Sequence, residues 1–403
     1  MLNKETLEFI RNHKDEDVRT LAMKSCGQTV VDLHQALIQI EGWQMARKKL
    51  PVWASYDNIL FPPKLSLEQC SSEETALYKK YLVERFFSTN RRPYACMVDL
   101  TGGYGIDFSY IAPLFEKAVY VERQDILCRL AAHNFPILGL KHAQVICGDG
   151  GETLSSLEKM SLCFVDPARR DNQGRKTVSI TDCEPDLTSL QEQLEKKAEV
   201  CLFKLSPLLD ISRAVDELRH IAEIHVVSVR DECKELLLVI DKCITTNPVC
   251  RCVNLQRNQT DFIFTFEEER NALCNYAETL ESYLYEPNAS IMKAGAFKTV
   301  ANRFGLKKLH PNSHLYTSDV VIQEFPGRVF RIENFSSFSK SDLRNLLKDI
   351  SNANLTIRNF PSDVSALRKK LKLKDGGDTY LFATTVADGS HILIKARKIE
   401  NVS

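Results

Sequence analysis

The spacing of hydrophobic positions changes several times along the chain. Up to about residue 90, apolar residues recur three and four apart in VRTLAMKS, VVDLHQALIQIEGWQMARKKL and EETALYKKYLVERFF, the period of amphipathic helices. Between the last two lies PVWASYDNILFPPKLSLEQC, whose prolines and aromatics predict loop. Ser71 with Glu74 reads as a capping box opening the final helix of this group. From residue 94 to about 242, short apolar runs alternate with helical segments. The strand candidates are ACMVDL, AVYVER, AQVICGD, LCFVDP, VCLFKLS, HVVSVR and ELLLVID. Such alternation predicts βαβ units around a mostly parallel sheet. The last two runs are separated only by DECK, too short for a crossover helix, so they must form a hairpin, with one antiparallel strand at the sheet edge.

After Asn247-Pro248 the texture changes again. VCRCVNL and FIFTF predict a hairpin, and EEERNALCNYAETLESYLY predicts a helix. A polar stretch follows to about residue 318. From about residue 328 the order is strand (RVFRIENF), helix (KSDLRNLLKDI), strand (LTIRNF), helix (DVSALRKKLKL) and two strands (TYLFATTV, HILIKARKI), a compact α+β module of its own. The expected organisation is a helical cap over 1–90, an α/β domain over 91–243, a smaller α+β insert over 244–329 and a C-terminal module over 330–403.

Composition narrows the function classes. With 403 residues, 44% hydrophobic and 26% charged, the chain has ordinary globular usage and several domains' worth of core. Lys plus Arg equals Asp plus Glu, so a protein that coats nucleic acid by bulk charge is excluded. The balance is uneven, however: residues 331–403 hold 13 Lys and Arg against 8 Asp and Glu. No apolar run of about 18 residues predicts a membrane span. The charged N-terminus, MLNKETLEFIRNHKDEDV, is unlike a signal peptide, so a cytoplasmic location is expected. The thirteen cysteines contain no CxxC and lie mostly in apolar stretches, as reduced core thiols do. His310 and His314 sit in HPNSH, where Pro and Asn prevent the helical face that a metal pair at that spacing needs, and no metal is expected.

The most informative segment is VDLTGGYGIDF, residues 98–108. A strand ends at Asp99-Leu100, three glycines follow within five residues, and a helix begins. Glycines at such a turn let backbone approach a ligand, and the helix start supplies unpaired amides. The spacing fits neither G-x-G-x-x-G nor the P-loop, which also needs Lys-Ser/Thr.

These residues resemble the first motif of class I S-adenosylmethionine-dependent methyltransferases, an acid followed by D-x-G-x-G-x-G. Asp99, Gly103 and Gly105 match it, and Thr101 stands where the first glycine usually is. The other family marks follow in order: Glu122 ends AVYVER, Asp149 ends ICGD, and Asp166-Pro167 ends LCFVDP. The resemblance implies a Rossmann-like sheet and S-adenosyl-L-methionine as cofactor, with Glu122 on the ribose hydroxyls and Asp149 on the adenine amine. Thr101, Gly102 and Asp107 on the turn, Arg123 after Glu122 and Gly150 after Asp149 complete the implied cofactor residues. It also implies that Asp166, Pro167, Arg169, Arg170 and Lys204 face the methyl acceptor.

The acceptor is less legible. Ala168 and Arg169 follow Asp166-Pro167, so no aromatic stands where amine-methylating enzymes stack a base. Two adjacent arginines favour a phosphate or carboxylate nearby. Pyrimidine C5 methylation needs a cysteine nucleophile, yet Ser206 precedes Pro207 where RNA enzymes of that type place it. Lys80, Asp166, Lys204 and Glu235 stand at places comparable to the Lys-Asp-Lys-Glu tetrad of ribose 2′-O-methyltransferases, which would make a lysine the base.

The C-terminal stretch from NLTIRNF to ILIKARKI resembles a THUMP-like module, the insert before it resembles a small ferredoxin-like domain, and the whole chain is similar to bacterial methyltransferases of the Bacteroidetes that combine them. The resemblance implies transfer or ribosomal RNA as partner. Arg368, Lys369, Lys370, Lys372 and Lys374 form a candidate phosphate comb. Gln69 and its neighbours in the cap are expected near the site. Two other readings stay open: a methyltransferase for a small molecule or protein, and a non-catalytic RNA-binding protein that kept the fold.

Overall fold

The computed structural model describes residues 2–24, 30–169, 180, 183–255 and 260–399. The chain divides into two compact units, Met1–Ile221 with Leu238–Thr245, and Ala222–Leu237 with Thr246–Ser403.

The first unit opens with six helices: α1 (Lys4–His13), α2 (Val18–Lys24), α3 (Leu33–Lys49), α4 (Pro51–Ser55), α5 (Lys64–Gln69) and α6 (Glu73–Thr89). Their apolar faces form two small cores, one around Phe9, Leu21, Ala36 and Ile40, the other around Trp53, Phe61, Leu67 and Ala76. The N-cap of α6 is Ser72, which accepts from Thr75 N, so the cap falls one residue after Ser71 and the box expected with Glu74 does not form. That shift releases Ser71 for another partner, described below.

The five strands β1 (Cys96–Asp99), β2 (Lys117–Glu122), β3 (Ala143–Cys147), β4 (Met160–Val165) and β7 (Ala198–Leu205) pair in the order β7-β4-β1-β2-β3. Every one of these pairings is parallel. The connecting helices are α7 (Ile106–Ile111), α8 (Asp125–Ile137), α9 (Gly150–Ser156) and α10 (Leu187–Lys197), with α11 (Ile211–Glu217) after β7. Two short strands, β5 (Ala168–Arg169) and β6 (Cys183–Glu184), pair antiparallel beyond β4. This is the mostly parallel sheet the alternating pattern predicts and the Rossmann-like architecture the resemblance implies, and it aligns the carboxyl ends of all five strands.

The segment before α5 is pinned by amide clasps from α8 and from α3. Asn134 of α8 is buried and accepts from Leu60 N at 2.9 Å while donating to Leu60 O at 2.8 Å. Gln39 does the same for Phe61 N and O. Asn134→Ala leaves both Leu60 groups without that partner, and about 1–3 kcal/mol of stability is expected to go with them. A lower urea midpoint with an unchanged slope is the check.

The predicted hairpin is β8 (Ile221–Val229) and β9 (Glu232–Ile240), joined by Arg230 and Asp231, both at positive φ as a two-residue turn requires. In the second unit, β10 (Val249–Leu255) runs parallel to β8 over seven residue pairs, and β11 (Phe262–Thr265) pairs antiparallel with β10. Within this unit the pairing order ends at β11, which runs antiparallel to β10.

The helix expected over EEERNALCNYAETLESYLY is shorter than its pattern. α12 spans Phe266–Asn271 behind a Thr265–Glu268 capping box, and the final apolar residues enter strand β12 (Tyr283–Pro287) instead. Then come α13 (Ala289–Ala294), α14 (Phe297–Arg303), β13 (Lys307–Lys308), β14 (Tyr316–Ser318), β15 (Gly327–Ser337), α15 (Lys340–Leu346), β16 (Asn354–Arg358), α16 (Val364–Leu371), β17 (Thr379–Thr385) and β18 (His391–Lys398). Their sheet order is β13-β14-β12-β15-β18-β17-β16. The module expected to stand alone from about 328 thus shares its sheet with 283–318, since eleven-residue β15 uses both edges. Buried Glu286 of β12 stitches them further, accepting from Arg328 of β15 and from Arg358 of β16, the latter at 2.8 Å. Arg368 of the candidate comb is engaged inside the fold, on Ala353 O at 3.0 Å and Asp375 at 2.7 Å.

The twelve cysteines among the described residues are free thiols, half of them buried. No helix among these residues is long and apolar enough to cross a membrane.

Candidate active site

A cleft of about 810 Å³ opens at the carboxyl ends of β1, β2, β4 and β7. Its lining includes Asp99, Thr101, Gly102, Gly103, Gly105 and Asp107 from the turn between β1 and α7. Glu122 and Arg123 come from the end of β2, Asp149 and Gly150 from the start of α9, Asp166 and Pro167 from the end of β4, and Lys204 from β7. The cap adds Ser66, Gln69, Cys70 and Ser71. The backbone of Arg169 lies in β5, and Arg170 lies outside the described residues.

The glycine turn is built by exclusion. A Cβ on Gly102 would lie 2.1 Å from the Tyr120 ring, and one on Gly150 would lie 2.2 Å from Leu100 O. Gly105 caps α7 at φ +86, in the left-handed region that side chains avoid. Tyr120 is buried, packs edge-on against Phe108 and Phe135, and donates its hydroxyl to Gly103 O. Thr101, the departure from the usual motif, accepts from Asp166 N at 2.6 Å and so ties the turn to the end of β4.

Glu122 is buried at the mouth of the turn. Its Oε2 accepts from Gly103 N and its Oε1 from Gln124 N, both at 2.8 Å. Asp99 is buried as well, and burial pushes its carboxyl well above the ordinary range, against the Thr101 amide that it accepts. Asp149 Oδ1 caps α9 by accepting from Gly151 N and Glu152 N. Arg123 pairs with Glu184 of β6 at 3.0 Å on the cleft rim.

A charge array lies where β4 and β7 end. Lys204 Nζ stands 2.5 Å from Asp166 Oδ2 and 3.6 Å from Asp107 Oδ2. Lys79 of α6 reaches Asp107 Oδ1 at 3.1 Å, and Ser71 Oγ donates to Asp107 Oδ2 at 2.7 Å. Burial alone would raise the Asp107 carboxyl. The ammonium groups of Lys79 and Lys204, with the Ser71 bond, outweigh it and hold the carboxyl below its usual range.

The other two tetrad members belong to different units of the chain. Lys80 is half-buried and does not line the cleft, because one helical step turns it away from the buried face on which Lys79 sits. Glu235 is buried on β9 in the second unit. The residues missed by pattern are Lys79, one position from the lysine singled out, and Ser71, read as a cap. Cys70 lines the cleft, and burial pushes its thiol up to about 11, so it is a poor thiolate at neutral pH.

Acidic side chains at the ends of parallel strands, with the acid that ends β2 bonded to the glycine turn, are arranged as in the class I methyltransferase fold. Over 99% of its length the chain matches the crystal structure of a candidate methyltransferase from Porphyromonas gingivalis W83, at 37% identity, with a TM-score of 0.87 and all of that chain covered. Residues 283–326 match a ferredoxin-like domain and residues 327–398 a THUMP domain-like family. The chain belongs to the bacterial family of class I methyltransferases with a THUMP-like C-terminal domain. A S-adenosylmethionine-dependent methyltransferase from Clostridium acetobutylicum is 18% identical and overlaps 32% of this chain and 50% of its own, with a TM-score of 0.26. A candidate RNA methyltransferase from Pyrococcus horikoshii is 13% identical over 42% of this chain and 79% of its own, with a TM-score of 0.31. No curated protein matches the chain.

Proposed function

We propose that this methyltransferase uses S-adenosyl-L-methionine to methylate a structured RNA, transfer or ribosomal, in the cytoplasm. The observation that carries the reading is the buried Glu122 carboxylate at the glycine turn. Two oxygens side by side suit a ribose diol, which needs paired acceptors. The backbone at Gly103 is open, with nothing nearer than 3.8 Å to a Cβ built there, so a ligand can lie against it. Asp149 keeps its second oxygen for an amine, and the carboxylates of this cleft suit a cationic sulfonium. When bound, the cofactor supplies an electrophilic methyl group.

Asp99, Thr101, Gly102, Gly103, Gly105, Glu122, Asp149 and Gly150 would hold it, with Asp107 and Arg123 at the margins. Asp166, Pro167 and Lys204 would meet the acceptor, followed by Arg169 and Arg170. Their work is orientation and handling of one proton. RNA as acceptor is supported by the match of 327–398 to the THUMP domain-like family and by the basic balance of that stretch.

The test compares methyl-nucleosides from small and ribosomal RNA of a deletion strain and its parent by mass spectrometry. One missing methyl-nucleoside, restored by the wild-type gene, is expected. No change, with S-adenosyl-L-methionine still bound in calorimetry, would move the acceptor to a small molecule or protein. No binding either would leave a non-catalytic protein.

A further inference from the structure

Lys204 stands between two carboxylates, and Lys79 closes the far side of one of them. Side-chain exposure rises along the array, from 0% at Lys79 through 9% at Asp107 and 13% at Lys204 to 39% at Asp166. The charges balance inside, and the member most open to the cleft is a carboxylate. Anions on both sides of an ammonium favour its charged form. A lysine that serves as a base needs the opposite balance, with cations or an apolar pocket outweighing the anions beside it.

Resting on the function proposed above, we infer that the acceptor is the lactam edge of a nucleobase, a ring N–H beside a carbonyl as in guanine or uracil, with Asp166 taking the ring proton and the Lys204 ammonium gripping the carbonyl oxygen. An adjacent acceptor and donor complement such an edge, and single-stranded bases are commonly read there. Asp166 Oδ2 meets Lys204, while its Oδ1 makes no hydrogen bond among the described residues. A ribose hydroxyl offers one less acidic group and would leave half of this pair unused. An exocyclic amine would lack its stacking partner, because Pro167 and Ala168 follow Asp166 in the wall. Titratable groups that also face the array include Asp99 from β1, Lys49 from α3 and Cys70 after α5. Lys49 is itself held by Leu67 O and Glu68 O, at 2.9 and 2.7 Å.

In the step, the ring N–H bond breaks and its proton passes to Asp166. The nitrogen forms its bond to the methyl carbon, and the sulfur–methyl bond breaks with its electron pair kept by sulfur as a neutral thioether. The positive charge lost from sulfur leaves as that proton.

Three measurements test this. The nucleoside missing from the deletion strain is expected to carry a ring-nitrogen methyl on guanine or uracil. A missing 2′-O-methyl or exocyclic N-methyl nucleoside would overturn the inference while leaving RNA methylation standing, and no missing nucleoside would overturn the function beneath it. In single turnover on the identified RNA, Asp166→Asn is expected to lose about 10²–10⁴-fold. Lys204→Met is expected to lose about 10²–10³-fold, as for a donor to a developing oxyanion. Lys204→Arg should keep most of the rate, and its inactivity beside an active Asp166→Asn would restore a lysine base. The third readout needs neither cofactor nor RNA. In protein carrying ¹³Cε-lysine, the resonance that vanishes in Lys204→Arg is expected at the ammonium position at neutral pH, and a neutral amine there would overturn the assignment.

Discussion

Glu122→Ala is expected to weaken binding of S-adenosyl-L-methionine by at least about a hundredfold in titration calorimetry, about 2.7 kcal/mol. The carboxylate is buried and accepts from the amides of Gly103 and Gln124. Truncation removes both acceptors offered to the ribose and also leaves two backbone donors without their partner, at about 1–3 kcal/mol each. The glycine turn then loses its tie to the end of β2, so the pocket loosens as well as losing contacts. Glu122→Gln should fall between, because one oxygen still accepts while the amide nitrogen faces a donor. Wild-type affinity in Glu122→Ala would place the ribose elsewhere and remove the main support for the cofactor reading.

The second large effect belongs to Lys79. Lys79→Met deprives buried Asp107 of its 3.1 Å partner and leaves Lys204 at 3.6 Å. Breaking a buried ion pair from one side typically costs about 3–5 kcal/mol. The double variant Lys79→Met with Asp107→Asn should recover part of this, since no isolated charge is left behind. The pH dependence carries a definite sign. The folded-state pKa of Asp107 lies below its usual value, so its stabilisation is full above that value and is lost as pH falls through the folded one. In Lys79→Met the burial contribution gains ground and raises the folded pKa, so the folded state disfavours the ionised carboxylate that the unfolded chain adopts freely. The stability gap between variant and wild type is therefore expected to widen as pH rises from below 3.8, the usual value, toward neutrality in urea denaturation. A gap independent of pH would mean that Asp107 is not the group the lysine serves.

Much of the first unit was legible because its signals are local. Alternating runs fix strands and helices, and the glycines of residues 98–108 mark the one turn where side chains do not fit. Acids at successive strand ends could be placed together because parallel strands present the same end to one crevice. What escaped depends on phase and partners. Lys79 and Lys80 are both strong helix formers, and only the rotation of α6 against α7 decides which one is buried. Ser71 and Ser72 compete for one cap, and the outcome turns on Asp107, thirty-six residues away. The apolar residues near 283 suit a helix by spacing, yet β12 gains hydrogen bonds from β14 on one side and β15 on the other, which no local pattern reveals. The continuation of pairing from β8 to β10 is likewise a long-range choice, settled by burial on both strands.

The fit of Gly102 against the ring of Tyr120 has an evolutionary consequence. A single methyl group at 102 would need the space already filled by the aromatic ring, and that ring also holds Gly103 through its hydroxyl. Neither position can drift alone. Across relatives the two are expected to covary: lineages that admit alanine or serine at the glycine should shrink the aromatic on β2 and find another donor for the turn. Lineages that keep the tyrosine should never gain a side chain opposite it.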